Sequence, residues 1–180
     1  KPDRVGDFLA ATKEYAELAR SNNGERHFSV WVSLSGEHEY VLVRYYSKWA
    51  DLDNTQDPKL KDVAARMTSV TARIMNCVEK YHRVIQELEP ELSLPMTSPT
   101  PPMVRFLRTW VRPEKLPEYR ALVKSDILPA VKKSGVKIYG VSNVRAGGSV
   151  YEYNTIFGLE KWADLDGEGP VVTGLGGREA

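Results

Sequence analysis

One hexapeptide occurs twice in this chain, and that repetition limits the possible folds more than any other feature. Lys48-Trp49-Ala50-Asp51-Leu52-Asp53 returns 113 residues later as Lys161-Trp162-Ala163-Asp164-Leu165-Asp166. Two copies of a segment imply two copies of one supersecondary unit, so repeats set the fold reading before anything else. The match runs backwards as well. Lys1-Pro2-Asp3-Arg4-Val5-Gly6-Asp7-Phe8 falls on Arg112-Pro113-Glu114-Lys115-Leu116-Pro117-Glu118-Tyr119 at offset 111, keeping charge sign, proline and aromatic. Gly24 falls on Gly135 and Gly36 on Gly147. Two extra residues in the Gly147-Gly148-Ser149 turn then move the offset to 113. The 54 aligned pairs hold 15 identities, seven before the turn and eight after it. The single length change falls in a turn, where insertions are tolerated.

Each copy reads as an alternation of strand and helix. In the second, Val104 to Val111 is rich in β-formers, with Val104, Phe106 and Trp110 on one face and Arg108 interrupting it. Arg112-Pro113-Glu114 opens a helix, since proline suits a first turn and an acid suits the dipole. Leu116, Tyr119, Val123, Ile127 and Ala130 form its inward stripe, and Pro129 predicts a kink or an early stop. Gly135 ends it. Strands at 136–144 and 150–159 meet at Ala146-Gly147-Gly148-Ser149, a hairpin signal. The first copy has a helix over about 3–20, with Val5, Phe8, Thr12, Tyr15 and Leu18 inward. Its hairpin is 28–34 with 40–46, turning at Ser35-Gly36-Glu37. A second helix opens at Asp57-Pro58 and carries the stripe Leu60, Val63, Ala64, Met67, Val70, Ile74, Val78. A fourth strand is expected near 79–88.

The resulting order is β-α-β-β-α-β, the ferredoxin-like arrangement, taken twice. The expected division is unit one over 1–92, a stiff proline-rich linker over 93–103, and unit two over 104–180. The fold class is α+β, two such units packed as an intrachain α/β barrel, because neither alone has much core. Lys1 aligns with Arg112, just past the second unit's first strand, and Pro58 aligns near Pro170. The expectation is therefore a strand before Lys1 and a helix end plus strand after Ala180 in a fuller chain, or else unequal units.

Composition removes several function classes. Lys and Arg total 25 against 24 Asp and Glu, with no basic stripe, so no nucleic-acid partner is expected. Apolar runs are too short for a membrane-spanning helix. The single cysteine, Cys77, excludes an internal disulfide and a thiolate-rich zinc site, and it reads as a buried structural residue.

The strand, the Lys/Arg-Pro-acid helix opening, the glycine-turn hairpin, and the strand ending in Trp49 or Trp162 before an acidic helix start together resemble the dimeric α/β-barrel superfamily. That group includes NIPSNAP-like and antibiotic-biosynthesis-monooxygenase-like domains. The resemblance covers about nine-tenths of the chain as architecture and is carried by a loose motif. It implies a barrel built within one chain where relatives use two, with further oligomerisation open. Its functional range spans cofactor-independent monooxygenases, haem-degrading enzymes, stress-response proteins and uncharacterised domains.

The candidate ligand-binding residues are polar or aromatic side chains on the central strands: Trp31, Arg44 and Tyr46 in unit one, and Trp110, Tyr139, Asn143, Arg145 and Asn154 in unit two. The resemblance implies that Asn143 and Asn154 would orient a deprotonated aromatic substrate. Trp49 and Trp162 read as plugs between helix and sheet, and Asp51, Asp53, Asp164 and Asp166 as helix caps. His27, His38 and His82 are scattered, without HxH or HxxxH spacing, and His82 belongs to the fourth strand or the preceding helix end. Haem-binding relatives leave one axial histidine open, but the residues themselves favour a cofactor-free, metal-free protein. Gly174-Leu175-Gly176-Gly177 lacks the ending of a phosphate loop and reads as a weak, frayed helix end. The leading functional expectation is a tandem ferredoxin-like protein that binds a small apolar or aromatic ligand. Its alternatives are a cofactor-independent monooxygenase and an assembly module without a ligand.

Overall fold

The computed structural model describes residues 1–24, 28–53, 58–95 and 100–177, with Pro58 described in its backbone only. The protein is α+β and divides into two compact units, Lys1–Tyr81 and His82–Ala180. The expected cap Asp57, the residue His27 and the middle of the expected linker lie outside the described residues.

In the first unit, a 3₁₀ turn at Pro2–Arg4 leads into α1 (Val5–Ser21), and the hairpin is β1 (Phe28–Val32) with β2 (Tyr40–Arg44). A second 3₁₀ turn, Pro58–Val63, feeds α2 (Ala64–Cys77). The two helices pack on each other through Ala11, Leu18 and Ala19 from α1 and Met67 and Val70 from α2. Tyr15, Leu60, Val63 and Ile74 flank this core, so the predicted stripe on α2 does face inward. Glu14 ties the pair together. Its carboxylate takes Arg73 at 2.7 Å and Arg66 at 3.4 Å, and the Arg73 hydrogen bond holds it below the usual carboxylate range. Cys77 is buried, its thiol donating to the Arg73 carbonyl at 3.3 Å.

The second unit is a four-stranded antiparallel sheet in the order β3-β5-β6-β4, made of β3 (Ile85–Leu88), β4 (Met103–Trp110), β5 (Tyr139–Ala146) and β6 (Glu152–Leu159). Since β4 and β5 each run antiparallel to β6, they are parallel to one another and need a crossover, which a helical run supplies. That run is α3 (Leu116–Leu122), a π turn at Val123–Ile127, and α4 (Leu128–Lys133). The core lies between it and one sheet face, and includes Leu92, Val123, Leu128, Val131, Tyr139, Val141 and Phe157. A short helix, α5 (Pro170–Leu175), packs on α4.

Under the offsets of the sequence alignment, the two hairpins share one register. Phe28 faces Arg44, Val30 faces Leu42 and Val32 faces Tyr40. Their counterparts pair as Tyr139 with Phe157, Val141 with Thr155 and Asn143 with Tyr153. Gly36 and Gly147 both take positive φ, 81° and 79°. The repeated hexapeptide also builds one turn twice. Lys48 and Lys161 are extended, and each donates its N–H to an aspartate three residues on, Asp51 at 3.3 Å and Asp164 at 3.2 Å. That is one half of a capping box. Asp53 and Asp166 sit at the ends of these turns and do not act as N-caps.

Several expectations are corrected. Trp49 and Trp162 are 52% and 60% exposed, so they do not plug a core. What repeats at this position is the aspartate-closed turn, which leaves the indole outside. Pro129 does not end the helical run, which continues to Lys133, and the irregularity expected near it takes the form of the π turn. Proline has no N–H and crowds the carbonyl four residues back, and the π turn before it absorbs that conflict, with the Leu128 N–H reaching the Val123 carbonyl. The extra residue of the π turn advances the inward stripe, so Leu128 and Val131 join the core beside Val123. The strand expected to complete unit one is β3, and it pairs with β5 in the second unit's sheet. The domain division accordingly falls at 81/82, not at 92. Residues at the start of the expected linker are part of that unit's core. Ser93 is buried, and Leu94 packs against the core with its N–H donating to the Tyr139 carbonyl at 2.9 Å. β4 exposes Phe106 and Trp110, where the period-two pattern implied a covered face.

The glycines near residue 175 are likewise not a frayed end. Gly177 N–H reaches the Val172 carbonyl and Gly176 N–H the Thr173 carbonyl, a Schellman closure. A Cβ at Gly174 would sit 1.9 Å from the Ala130 carbonyl oxygen, so glycine is what lets α5 lie against α4. Gly174→Ala should therefore destabilise the protein by about 1–3 kcal/mol in urea denaturation. Gly6→Ala, in α1 with nothing within 4 Å of the added methyl, should stabilise it by about 0.5–1 kcal/mol.

Candidate functional site

Side chains alternate across a strand, so the β5–β6 register sorts the candidates onto two faces. Asn143 is opposite Tyr153, and Asn154 is opposite Ser142 on one side and Arg108 on the other. Asn143 therefore shares the helix-covered face with Tyr139 and Tyr153. Asn154 lies on the reverse face, with Ser142, Arg108 and Phe106. The two asparagines cannot hold one ligand between them.

On the helix-covered face the candidates are committed to structure. Tyr139 is a core residue packed on the Phe157 ring at 5.0 Å, and burial pushes its hydroxyl up to about 12. Asn143 donates its amide N–H to the carbonyls of Val150 at 2.9 Å and Glu152 at 3.2 Å, closing the hairpin turn. Arg145 is paired with Glu87 at 2.7 Å across the β3–β5 contact. Beside it, Arg120 meets Glu89 at 2.9 Å and also approaches the Tyr153 hydroxyl, and the Glu89 contact holds its guanidinium above the ordinary range. These are charges already neutralised by neighbours.

The reverse face holds the exception. Asn154 is 1% exposed, and neither its amide oxygen nor its amide nitrogen has a hydrogen-bond partner. Buried polar groups are nearly always paired, and leaving one unpaired costs about 1–3 kcal/mol. Ser142 spends its hydroxyl on Gln86 at 2.6 Å. Arg108, opposite Asn154, lies over the Phe106 ring at 5.6 Å and is exposed. Trp110, two residues further along, is 63% exposed at the strand's end. Of the sequence candidates, Asn154 and Trp110 share this face. Ser142, Gln86 and Arg108 accompany them and had no signal in the sequence beyond their places in strands.

In the first unit the candidates separate too. Trp31 borders the groove between β1 and α1 and donates its indole N–H to Ser29 at 2.9 Å. Arg44 is on the α1 side, 3.4 Å from the Tyr15 hydroxyl, and Tyr46 lies past the end of β2. An open groove of about 400 Å³ runs between β1 and α1, lined by Leu9, Thr12, Lys13, Ala16, Phe28 and Val30 among others. In the second unit a cavity of about 50 Å³, beside Arg105, Phe157 and Asp164, has room for little more than water.

Among the described residues, no three His, Cys, Asp or Glu side chains are grouped to hold a metal. His38 packs edge-on against Tyr40, and His82 is exposed in the segment between α2 and β3, in neither a helix nor a strand. No helix is long and apolar enough to cross a membrane among the described residues. No family model matches the chain, and no curated protein matches it.

The raised Tyr139 hydroxyl sets a pH dependence. An unfolded tyrosine ionises near 10, whereas Tyr139 keeps its proton to about 12 when folded. This group's contribution to stability is intact below pH 10 and is lost as pH rises through 12. Ultraviolet titration should show a late phenolate component that Tyr139→Phe removes.

Proposed function

We propose that the chain is a tandem pair of ferredoxin-like units packed as an intrachain α/β barrel, in the manner of the dimeric α/β-barrel superfamily. We further propose that it binds a small aromatic or apolar molecule against the Asn154 face of the second unit's sheet. The matching hairpin registers and the twice-built aspartate turn support the first part. The second part rests on one observation, the buried Asn154 amide with both its polar atoms unbonded. Such an amide offers one acceptor and two N–H donors, which suits a ligand carrying a carbonyl, phenol or enol oxygen beside an N–H or O–H. Arg108, across the strand pair, supplies positive charge for an oxygen with anionic character, and Phe106 supplies an aromatic surface. The cofactor-independent oxygenase reading uses the same amide to hold a substrate anion, and oxygen uptake with the bound ligand separates a binder from an enzyme.

Two measurements test this. Native mass spectrometry of the purified protein should show a co-purifying molecule of a few hundred daltons. Asn154→Leu should raise the unliganded stability by about 1–2 kcal/mol, because an unpaired buried amide is gone, and should abolish retention of that molecule. If Asn154→Leu retains it, or destabilises the unliganded protein, the ligand reading fails. The packed barrel is tested separately. Small-angle scattering should give a radius of gyration of about 16 Å for 180 residues folded as one compact body, and a clearly larger value if the units move apart.

A further inference from the structure

The two long helical runs end one residue apart, and that difference places a reactive pair of residues at the end of α1. Ser21, the last residue of α1, aligns with Lys132 at the 111-residue offset, yet the crossover run continues to Lys133. α1 is regular, whereas the crossover carries the extra residue of its π turn. Each run is followed by a residue in the left-handed region. In the second unit that residue is Gly135, at φ 77°, where glycine carries no steric cost. In the first unit the same place is reached one residue early, so it falls on Asn23 and not on Gly24. Asn23 has φ 53° and is the one non-glycine with positive φ among the described residues.

α1 ends in a Schellman closure. Asn23 N–H donates to the Arg20 carbonyl at 3.2 Å, and Gly24 N–H donates to the Ala19 carbonyl at 2.8 Å. The closure adjoins the core, since Leu18 and Ala19 are both buried. Asn23 itself is exposed. Of the six asparagines in the chain, it alone is followed by glycine. That setting favours backbone attack on the side-chain amide, because glycine has no Cβ to hinder the approach.

We propose that Asn23 is a site of spontaneous deamidation, gated by the Schellman closure of α1. The nucleophile is the Gly24 backbone nitrogen, the atom whose N–H completes the closure. When the helix end opens, this nitrogen loses its proton to solvent and attacks the Asn23 side-chain carbonyl carbon. A carbon–nitrogen bond forms, the side-chain amide nitrogen leaves as ammonia, and a cyclic imide results. Water then opens the imide at either carbonyl, giving aspartate or isoaspartate. One water is consumed and one ammonia is released, with nothing oxidised or reduced. Isoaspartate routes the chain through its side-chain carbon, so the longer backbone no longer returns the Gly24 N–H to Ala19. Aspartate keeps the backbone but sets a negative charge against the negative end of the helix. Both products loosen the last turn, and neither reverts. This site stands independently of the ligand reading of Asn154.

The test is to age the full chain in mildly alkaline buffer beside a synthetic peptide of residues 18–28. The tryptic peptide 21–26 is then read by mass spectrometry with electron-transfer fragmentation. A gain of about one dalton at Asn23 is expected, with isoaspartate among the products. Rearrangement at Asp166-Gly167 leaves the mass unchanged and is told apart in this way. The folded chain should react about ten-fold to a hundred-fold more slowly than the peptide, and the difference should vanish in urea. Aged protein should unfold at a lower urea concentration than fresh protein. Asn23→Gly, which puts glycine at the left-handed position, should show neither the mass gain nor the loss of stability. No gain at Asn23 in the folded chain after about a hundred peptide half-lives would overturn the proposal. So would a folded chain that reacts as fast as the peptide, or one that stays slow in urea, because the closure would then gate nothing. Aged protein as stable as fresh protein, with Asn23 converted, would also overturn it.

Discussion

β5 is hydrogen-bonded along both of its edges, to β6 on one side and to β3 with its continuation on the other. A central strand leaves no backbone donor or acceptor free, and its register then decides which face every neighbouring side chain takes. The rest of the second unit follows from this. The helical crossover must lie over the face that carries Tyr139, Val141 and Asn143, because those are the apolar and hairpin-closing positions. Asn154 is consequently turned to the other face, away from the charges that Glu87, Glu89, Arg120 and Arg145 neutralise among themselves. Among the described residues, the buried amide without partners owes its place to a register set elsewhere.

The first unit is organised differently in spite of its matching order. Its described core is helix against helix, and its hairpin meets α1 through ring contacts, Tyr15 with Phe28 at 5.5 Å and Phe8 with Tyr40 at 4.8 Å. The corresponding ring positions in the second unit, Tyr119 with Tyr153 at 4.9 Å, sit beside a filled sheet edge and a buried core. The contrast shows what the two flanking strands β3 and β4 do for a two-stranded hairpin, which is marginal alone in water. They turn a surface into an interior.

Much of this fold was legible in the sequence because it is local. The proline-opened turns, the stripe on α2, the glycine positions of the hairpins and the repeated aspartate turn all depend on residues within a few positions of each other. What was illegible is non-local. Nothing in residues 85–88 announces that they pair with β5, because an edge strand's partner is chosen by whichever edge lies open to it. The candidate site suffered from the same gap. Listing Asn143 and Asn154 together requires knowing the hairpin register, and a change of one residue reverses a face. The two tryptophans failed for another reason. Repetition was read as packing, whereas the aspartate that closes the turn accounts for it without burying the indole. Helical spacing places Thr12 on the inward stripe of α1, but its unused hydroxyl is visible only once its surroundings are known.

The π turn at Val123–Ile127 makes the crossover helix a count of residues as much as a shape. It spends one residue more than a regular helix to cover the same length, and this brings Leu128 and Val131 onto the sheet while leaving Ala130 facing α5. Removing any single residue from that turn would let the helix run on regularly and would rotate everything after it by about 100°. Pro129 would then meet an intact carbonyl ladder, and Gly174 would lose the backbone surface that it matches. Chain length within these five residues is therefore a constraint in its own right, one that tolerates changes of side chain far better than a change in number.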